Sequence, residues 1–105
     1  MTYALKLADD LFQSVRSGKK RCTVRNGRRD VPLGEAVLEA TDGGEGDIHI
    51  NIDSVSYTTL SNVPVDVCEQ DGAANPKELL SLMRRFYPDI LPSSEVTILR
   101  FEVTE

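Results

Sequence analysis

Apolar and polar residues alternate most cleanly over Ile48-His49-Ile50-Asn51-Ile52-Asp53, a period of two that predicts a strand with one buried face, continuing to about Tyr57. The same period recurs at the end of the chain. There Val96, Ile98, Arg100 and Glu102 oppose Thr97, Leu99, Phe101 and Val103 in a closing strand. Shorter alternations predict strands over Tyr3 to Leu7, Arg21 to Arg25 and, less regularly, Glu35 to Ala40. In the second of these, Cys22 and Val24 share one face, and Arg21, Thr23 and Arg25 share the other.

The pattern changes to helical spacing in three places. Asp9 and Asp10 suit a helix start, Leu11, Phe12 and Val15 supply its apolar face, and Gly18 follows as a left-handed cap after Ser17. Val65 to Glu69 forms a short helix ending near Asp71-Gly72. Asn75-Pro76-Lys77-Glu78 combines a capping residue, a proline at the first helical position and a glutamate three residues beyond the cap. From it Leu79, Leu80, Met83 and Phe86 form one apolar face, and Pro88 stops the helix after Tyr87.

Turn residues separate these elements. Asn26-Gly27 ends the second strand, residues 58–64 form a loop, and Asp42-Gly43-Gly44-Glu45-Gly46 forms a flexible connection between antiparallel strands. The acids of that connection lack the spacing of a calcium loop. The element order predicts an α+β fold, a small and mostly antiparallel β-barrel with flanking helices.

Length and composition limit the interpretation further. The 105 residues suit one domain, residues 1–105, and 40% hydrophobic with 28% charged residues suits a soluble protein. Such a chain buries roughly two-thirds of its unfolded surface, enough for one modest core. No apolar run approaches the ~20 residues that span a bilayer, and Met1 to Leu7 lacks the apolar region of a signal peptide. Cys22 and Cys68 fit no metal-ligand spacing and are expected to be free thiols in a reducing, cytoplasmic setting. His49, the only histidine, sits in the alternating strand without companion ligands, so no metal site is expected.

Charge adds a contrast. The net charge is -5, yet seven of the twelve basic residues fall in Arg16 to Arg29, RSGKKRCTVRNGRR, and no acid occurs from Leu11 to Arg29. A local cluster of this kind marks an anion or nucleotide site on an acid-rich molecule. Within it Lys20 precedes the strand carrying Thr23, and the turn after Gly18 and Lys19 is expected to aim the amine at the Thr23 hydroxyl. A threonine hydroxyl becomes a useful nucleophile only beside a base, and a lysine serves when its surroundings favour the neutral amine. Any of several acids would supply the proton for a departing amine.

The stretch FQSVRSGKKRCTVR from Phe12 to Arg25, with Gly34-Glu35, the later CEQDG and KELLSLMRRFYP, resembles the ASCH domains across nearly the whole chain. The resemblance implies a PUA-like fold, and it is strongest to short bacterial members that act as N4-acetylcytidine amidohydrolases. In those enzymes a lysine and a threonine in G-[KR]-K-x-x-T-x-R are base and nucleophile, and a later glutamate is the proton donor. Carried over, Lys20 is the base and Thr23 the nucleophile, Arg25 helps hold the substrate or orient the site, and Arg21 on the same face is expected to bind substrate as well. The donor aligns with Asp71 in Cys68-Glu69-Gln70-Asp71-Gly72, or with Glu69 if the gap is shifted. The implied reaction is removal of acetyl from N4-acetylcytidine, with no cofactor, a small nucleoside as partner, no membrane, and a monomer compatible with the sequence. The alternative is an RNA-binding or RNA-cleaving PUA-like module that tracks phosphates with Arg16 to Arg29.

Overall fold

Alternation in the strands and amphipathic spacing in the helices combine into one mixed sheet covered on both faces. The computed structural model describes residues 3–41 and 46–105, with Asp9 described by its backbone only. Five strands, β1 (Tyr3–Leu7), β2 (Cys22–Asn26), β3 (Gly34–Ala40), β4 (Asp47–Thr59) and β5 (Glu95–Val103), form a sheet in the order β1-β3-β4-β5-β2. Among the described residues only β1 and β3 run parallel; the other neighbouring pairs are antiparallel. β1 and β2 are therefore the two edges. The long β4 pairs with both β3 and β5, and a register shift between Ile52 and Ser54 adds the local twist that curls the sheet into a half-barrel.

The helices are α1 (Phe12–Arg16), α2 (Val65–Gln70) and α3 (Pro76–Met83). Leu5, Leu38, Ile48, Ile50, Ile52, Leu99 and Phe101 pack with Phe12 and Val15 of α1 into one core. On the other side Cys22, Val24, Val96 and Ile98 pack against Val67 and Cys68 of α2 and Leu79 and Met83 of α3. Alternate residues of β5 thus supply two different cores, as the predicted opposition of Ile98 and Leu99 requires. Each fully buried aliphatic side chain contributes about 1.5–3 kcal/mol relative to exposure, so neither face of β5 tolerates a one-residue slip.

Some boundaries differ from the expected ones. The first helical segment opens as a 3-10 turn over Asp9–Leu11 before α1. The expected loop after Tyr57 is instead strand to Thr59, followed by a 3-10 turn over Leu60–Asn62 that buries Leu60. The third helix stops at Met83, not Tyr87, and Phe86 is 54% exposed rather than part of the buried face. Where helix was expected, the Phe86 and Tyr87 N–H groups both donate to the Met83 carbonyl and close a turn, and a second turn from Tyr87 to Ile90 returns Ile90, 3% exposed, to the core. The expected flexible connection at Asp42 to Gly46 lies, for residues 42–45, outside the described residues, although the antiparallel pairing of β3 and β4 on either side of it is present.

Candidate active site

Local turn chemistry places the central residues. After α1, Gly18 adopts φ +82°, a left-handed conformation that a side chain disfavours, and the chain reverses so that the Lys20 N–H donates to the Ser14 carbonyl. Lys20 enters the protein completely buried. Its ammonium donates to the Cys22 carbonyl at 2.7 Å and to an oxygen of Asp71, with which it forms an ion pair. That carbonyl belongs to the peptide joining Cys22 to Thr23, so the amine lies one peptide unit from Thr23. It hydrogen-bonds the carbonyl and carboxylate, not the Thr23 hydroxyl as expected, because those are the stronger acceptors for a desolvated cation.

Asp71 reaches this position from a tight turn. The C-terminus of α2 closes with the Asp71 and Ala73 N–H groups on the Cys68 carbonyl, and Gly72 takes φ +87°. Buried Ala73 anchors the turn. The Arg21 N–H donates to Gln70 Oε1 at 2.6 Å, which ties the end of α2 to the start of β2 and fixes the carboxyl over the lysine. The alternative acid, Glu69, is exposed and stands outside this arrangement.

Asp71, Thr23 and Arg25 line the same cavity of about 220 Å³, located where the two edge strands approach each other. Leu7 and Ala8 border it from the β1 side, and Leu79, Leu82 and Met83 of α3 with Phe86 and Tyr87 supply most of its apolar wall. Arg25, 9% exposed, donates from Nη1 to the Lys6 carbonyl at 2.6 Å and so bridges β2 to β1 across the open side of the half-barrel. Desolvation by burial lowers its pKa from the ordinary guanidinium value. Arg21 is not in this cavity. It is exposed and borders a separate hollow of about 300 Å³ with Arg16, Glu102 and Lys20, so that Lys20 stands between the two hollows and reaches the first through its ion pair with Asp71 rather than as part of its lining.

The remaining basic residues do not form one face. Lys20 and Arg25 are inside. Arg28 stacks on the Tyr57 ring at 3.8 Å and faces Glu95, and Arg29 donates to the Asn26 carbonyl and the Tyr87 hydroxyl. Cys22 and Cys68 are free and buried, and burial pushes the Cys22 thiol up to about 11 despite the nearby Lys20. Among the described residues, no group of His, Cys, Asp and Glu is arranged to hold a metal ion, and no helix is long and apolar enough to cross a membrane.

The same chain path occurs in solved structures. An ASCH domain from Lactobacillus crispatus superposes with a TM-score of 0.72 at 18% identity, covering 97% of this chain and 79% of that one. This is the ASCH fold. A mutant of the ZmASCH protein from Zymomonas mobilis matches with a TM-score of 0.63 at 13% identity, covering 97% of this chain and 66% of that one. A protein from Enterococcus faecalis matches with a TM-score of 0.64 at 16% identity, covering 99% of this chain and 80% of that one. No family model and no curated protein matches the sequence. Identities this low establish a shared ASCH fold and leave chemistry to the residues of this chain.

The cavity also contains groups without a sequence signal. The Lys6 carbonyl that holds Arg25 is backbone, and the wall at Leu82, Phe86 and Tyr87 reads in sequence only as a helix end before proline. Gln70 stands beside the candidate acid in the sequence, but its role in holding β2 depends on contact with a residue 49 positions away.

Proposed function

We propose that the protein is an amidohydrolase that removes the acetyl group from N4-acetylcytidine, or its free base, to give cytidine or cytosine and acetate. The observation that carries this reading is the pairing of buried Lys20 with part-buried Asp71, whose carboxyl shares a cavity with Thr23 and Arg25. Moving one proton along that hydrogen bond converts ammonium and carboxylate into a neutral amine and a carboxylic acid. Those are the base and the acid that amide cleavage needs.

In this mechanism the Lys20 amine shifts from the Cys22 carbonyl to the Thr23 hydroxyl and takes its proton as Oγ1 attacks the acetyl carbonyl carbon. The C–N4 bond then breaks, and the proton on Asp71 passes to N4 as cytidine leaves. Lys20 is again ammonium, Asp71 is carboxylate, and acetyl is esterified to Thr23. Return of the pair to its neutral form lets Lys20 deprotonate water, which attacks the ester. The proton passes from Lys20 to Thr23 Oγ1, releasing acetic acid and restoring the hydroxyl. The apolar wall limits the water around the reacting groups and so strengthens these short-range electrostatic effects.

The RNA alternative is less supported, because the basic run is divided between the interior, a stacked arginine and a separate hollow, and presents no continuous phosphate track. The test is loss of the N4-acetylcytidine absorbance with purified protein and with Lys20→Ala and Thr23→Ala. Hydrolysis by wild type alone supports the proposal. Full activity in either variant, or none in wild type, refutes it. Salt-sensitive binding of a short RNA by inactive wild type would favour the alternative.

A further inference from the structure

Arg25 carries more hydrogen-bonding capacity than the fold uses. Nη1 is occupied by the Lys6 carbonyl, but Nε and Nη2 are both buried without a hydrogen-bond partner among the described residues. In a planar guanidinium these two nitrogens share one edge and direct two parallel N–H groups outward, a fork suited to two adjacent coplanar acceptors. Leaving two charged donors buried and unpaired is costly, and native structures rarely do so without a reason. The only carboxylate among the described cavity residues is Asp71, whose Oδ1 is engaged by Lys20, and neither free nitrogen of Arg25 hydrogen-bonds to it.

We propose that the Nε/Nη2 edge of Arg25 is the recognition group of the cavity and takes the ring nitrogen N3 and carbonyl O2 of a cytosine-type pyrimidine. The pyrimidine identity rests on the amidohydrolase reading, whereas the requirement for paired acceptors rests on Arg25 alone. Cytosine presents N3 and O2 as neighbouring acceptors in the ring plane. Uracil replaces the first with an N–H donor, which opposes a guanidinium N–H. The flat ring matches the apolar wall of Leu79, Leu82 and Met83. N3 also adjoins C4, whose exocyclic nitrogen bears the acetyl group, so a ring held by this edge carries its scissile amide into the cavity that Thr23 and Asp71 line. Both free nitrogens are shielded from solvent, and entry of the ring edge requires the side chains covering them to give way. Pairing two buried donors offsets that rearrangement.

Calorimetric titration of the wild-type protein with cytosine, uracil and benzoate tests the assignment, with Arg25→Lys as the variant and a thermal melt as the control for folding. Lysine retains a cation able to reach the Lys6 carbonyl but has no fork. Cytosine should bind about ten- to a hundredfold more tightly than uracil, the discrimination that a bidentate pair supplies. Arg25→Lys should reduce that preference to less than about threefold. Equal affinity for the two bases, no cytosine binding at millimolar concentration, unchanged selectivity in folded Arg25→Lys, or tighter binding of benzoate would overturn it. Should Arg25→Lys fail to fold, the cytosine-to-uracil ratio in wild type decides. Selective cytosine binding without hydrolysis would remove the amidohydrolase reading and leave this assignment standing, and hydrolysis without base selectivity would do the reverse.

Discussion

Replacing Lys20 with methionine tests whether Lys20 and Asp71 form one energetic unit. Lysine is 0% exposed and the Asp71 side chain 14% exposed, so the substitution keeps an unbranched apolar stem but leaves a largely buried carboxylate without its cation. Removing one partner of a buried pair costs about 3–5 kcal/mol. The residual access of Asp71 to solvent places Lys20→Met toward the lower end, about 3 kcal/mol, or a fall in Tm of roughly 12–20 °C for a chain of this size. Adding Asp71→Leu removes the stranded charge. The double variant should recover to within about 1 kcal/mol of wild type, since well-packed apolar replacements of a buried pair are close to neutral. Urea unfolding followed by far-UV circular dichroism measures all four corners of the cycle. Costs that add to within about 0.5 kcal/mol would refute the coupling, because independent sites behave that way. A stable double variant also separates fold from activity: it should hydrolyse no N4-acetylcytidine.

Other consequences follow from single positions. Thr23→Ala, at a site 5% exposed, should unfold within about 1–2 kcal/mol of wild type and yet lose deacetylation, as read by the same melts beside an absorbance assay. The Asn75 side chain accepts from the Glu78 N–H at 3.0 Å, so Asn75→Ala should cost about 1 kcal/mol in a urea titration, with no loss meaning that the cap is idle. Cys22 has its folded pKa raised from 9.0 to about 11, so the native state keeps a proton that the unfolded chain releases. Its contribution to stability is full below pH 9 and is lost as pH rises from 9 to 11, a decline of roughly 2–3 kcal/mol. Cys22→Ala should flatten that segment of the stability profile, and an unchanged slope would count against the assignment. Neither cysteine should react with a thiol reagent in the folded protein at pH 8, in contrast to the urea-unfolded chain.

The strands were legible because a half-buried strand must alternate, as Ile48, Ile50 and Ile52 do, and because β5 divides Val96 and Ile98 from Leu99 and Phe101 between two cores. The turn at Gly18 and the cap at Asn75 were equally clear, since each depends on a residue type suited to one local conformation. The end of α3 was not. Pro88 suggests the last possible helical residue, but the turns that return Ile90 to the core end the helix four residues earlier.

At the candidate site, Lys20, Thr23 and Arg25 could be singled out as a local pattern, and the resemblance suggested their roles. Asp71 versus Glu69 could not be decided locally, since both sit at the end of one short helix and differ only in which way the following turn directs them. The expected shared face of Arg21, Thr23 and Arg25 holds only for Thr23 and Arg25, which line one cavity, because Arg21 precedes β2 and borders another hollow.

The sequence by itself thus determined the local elements, the left-handed turns, and a basic segment with a lysine three residues before a threonine. Periodicity and backbone sterics act over a few residues and leave their mark there. Tertiary structure decided the strand order that makes β1 and β2 the edges, the cavity between them, the contact of Lys20 with an acid 51 residues away, and the free edge of Arg25. Those features depend on long-range packing, where burial, not sequence proximity, selects which charged groups meet.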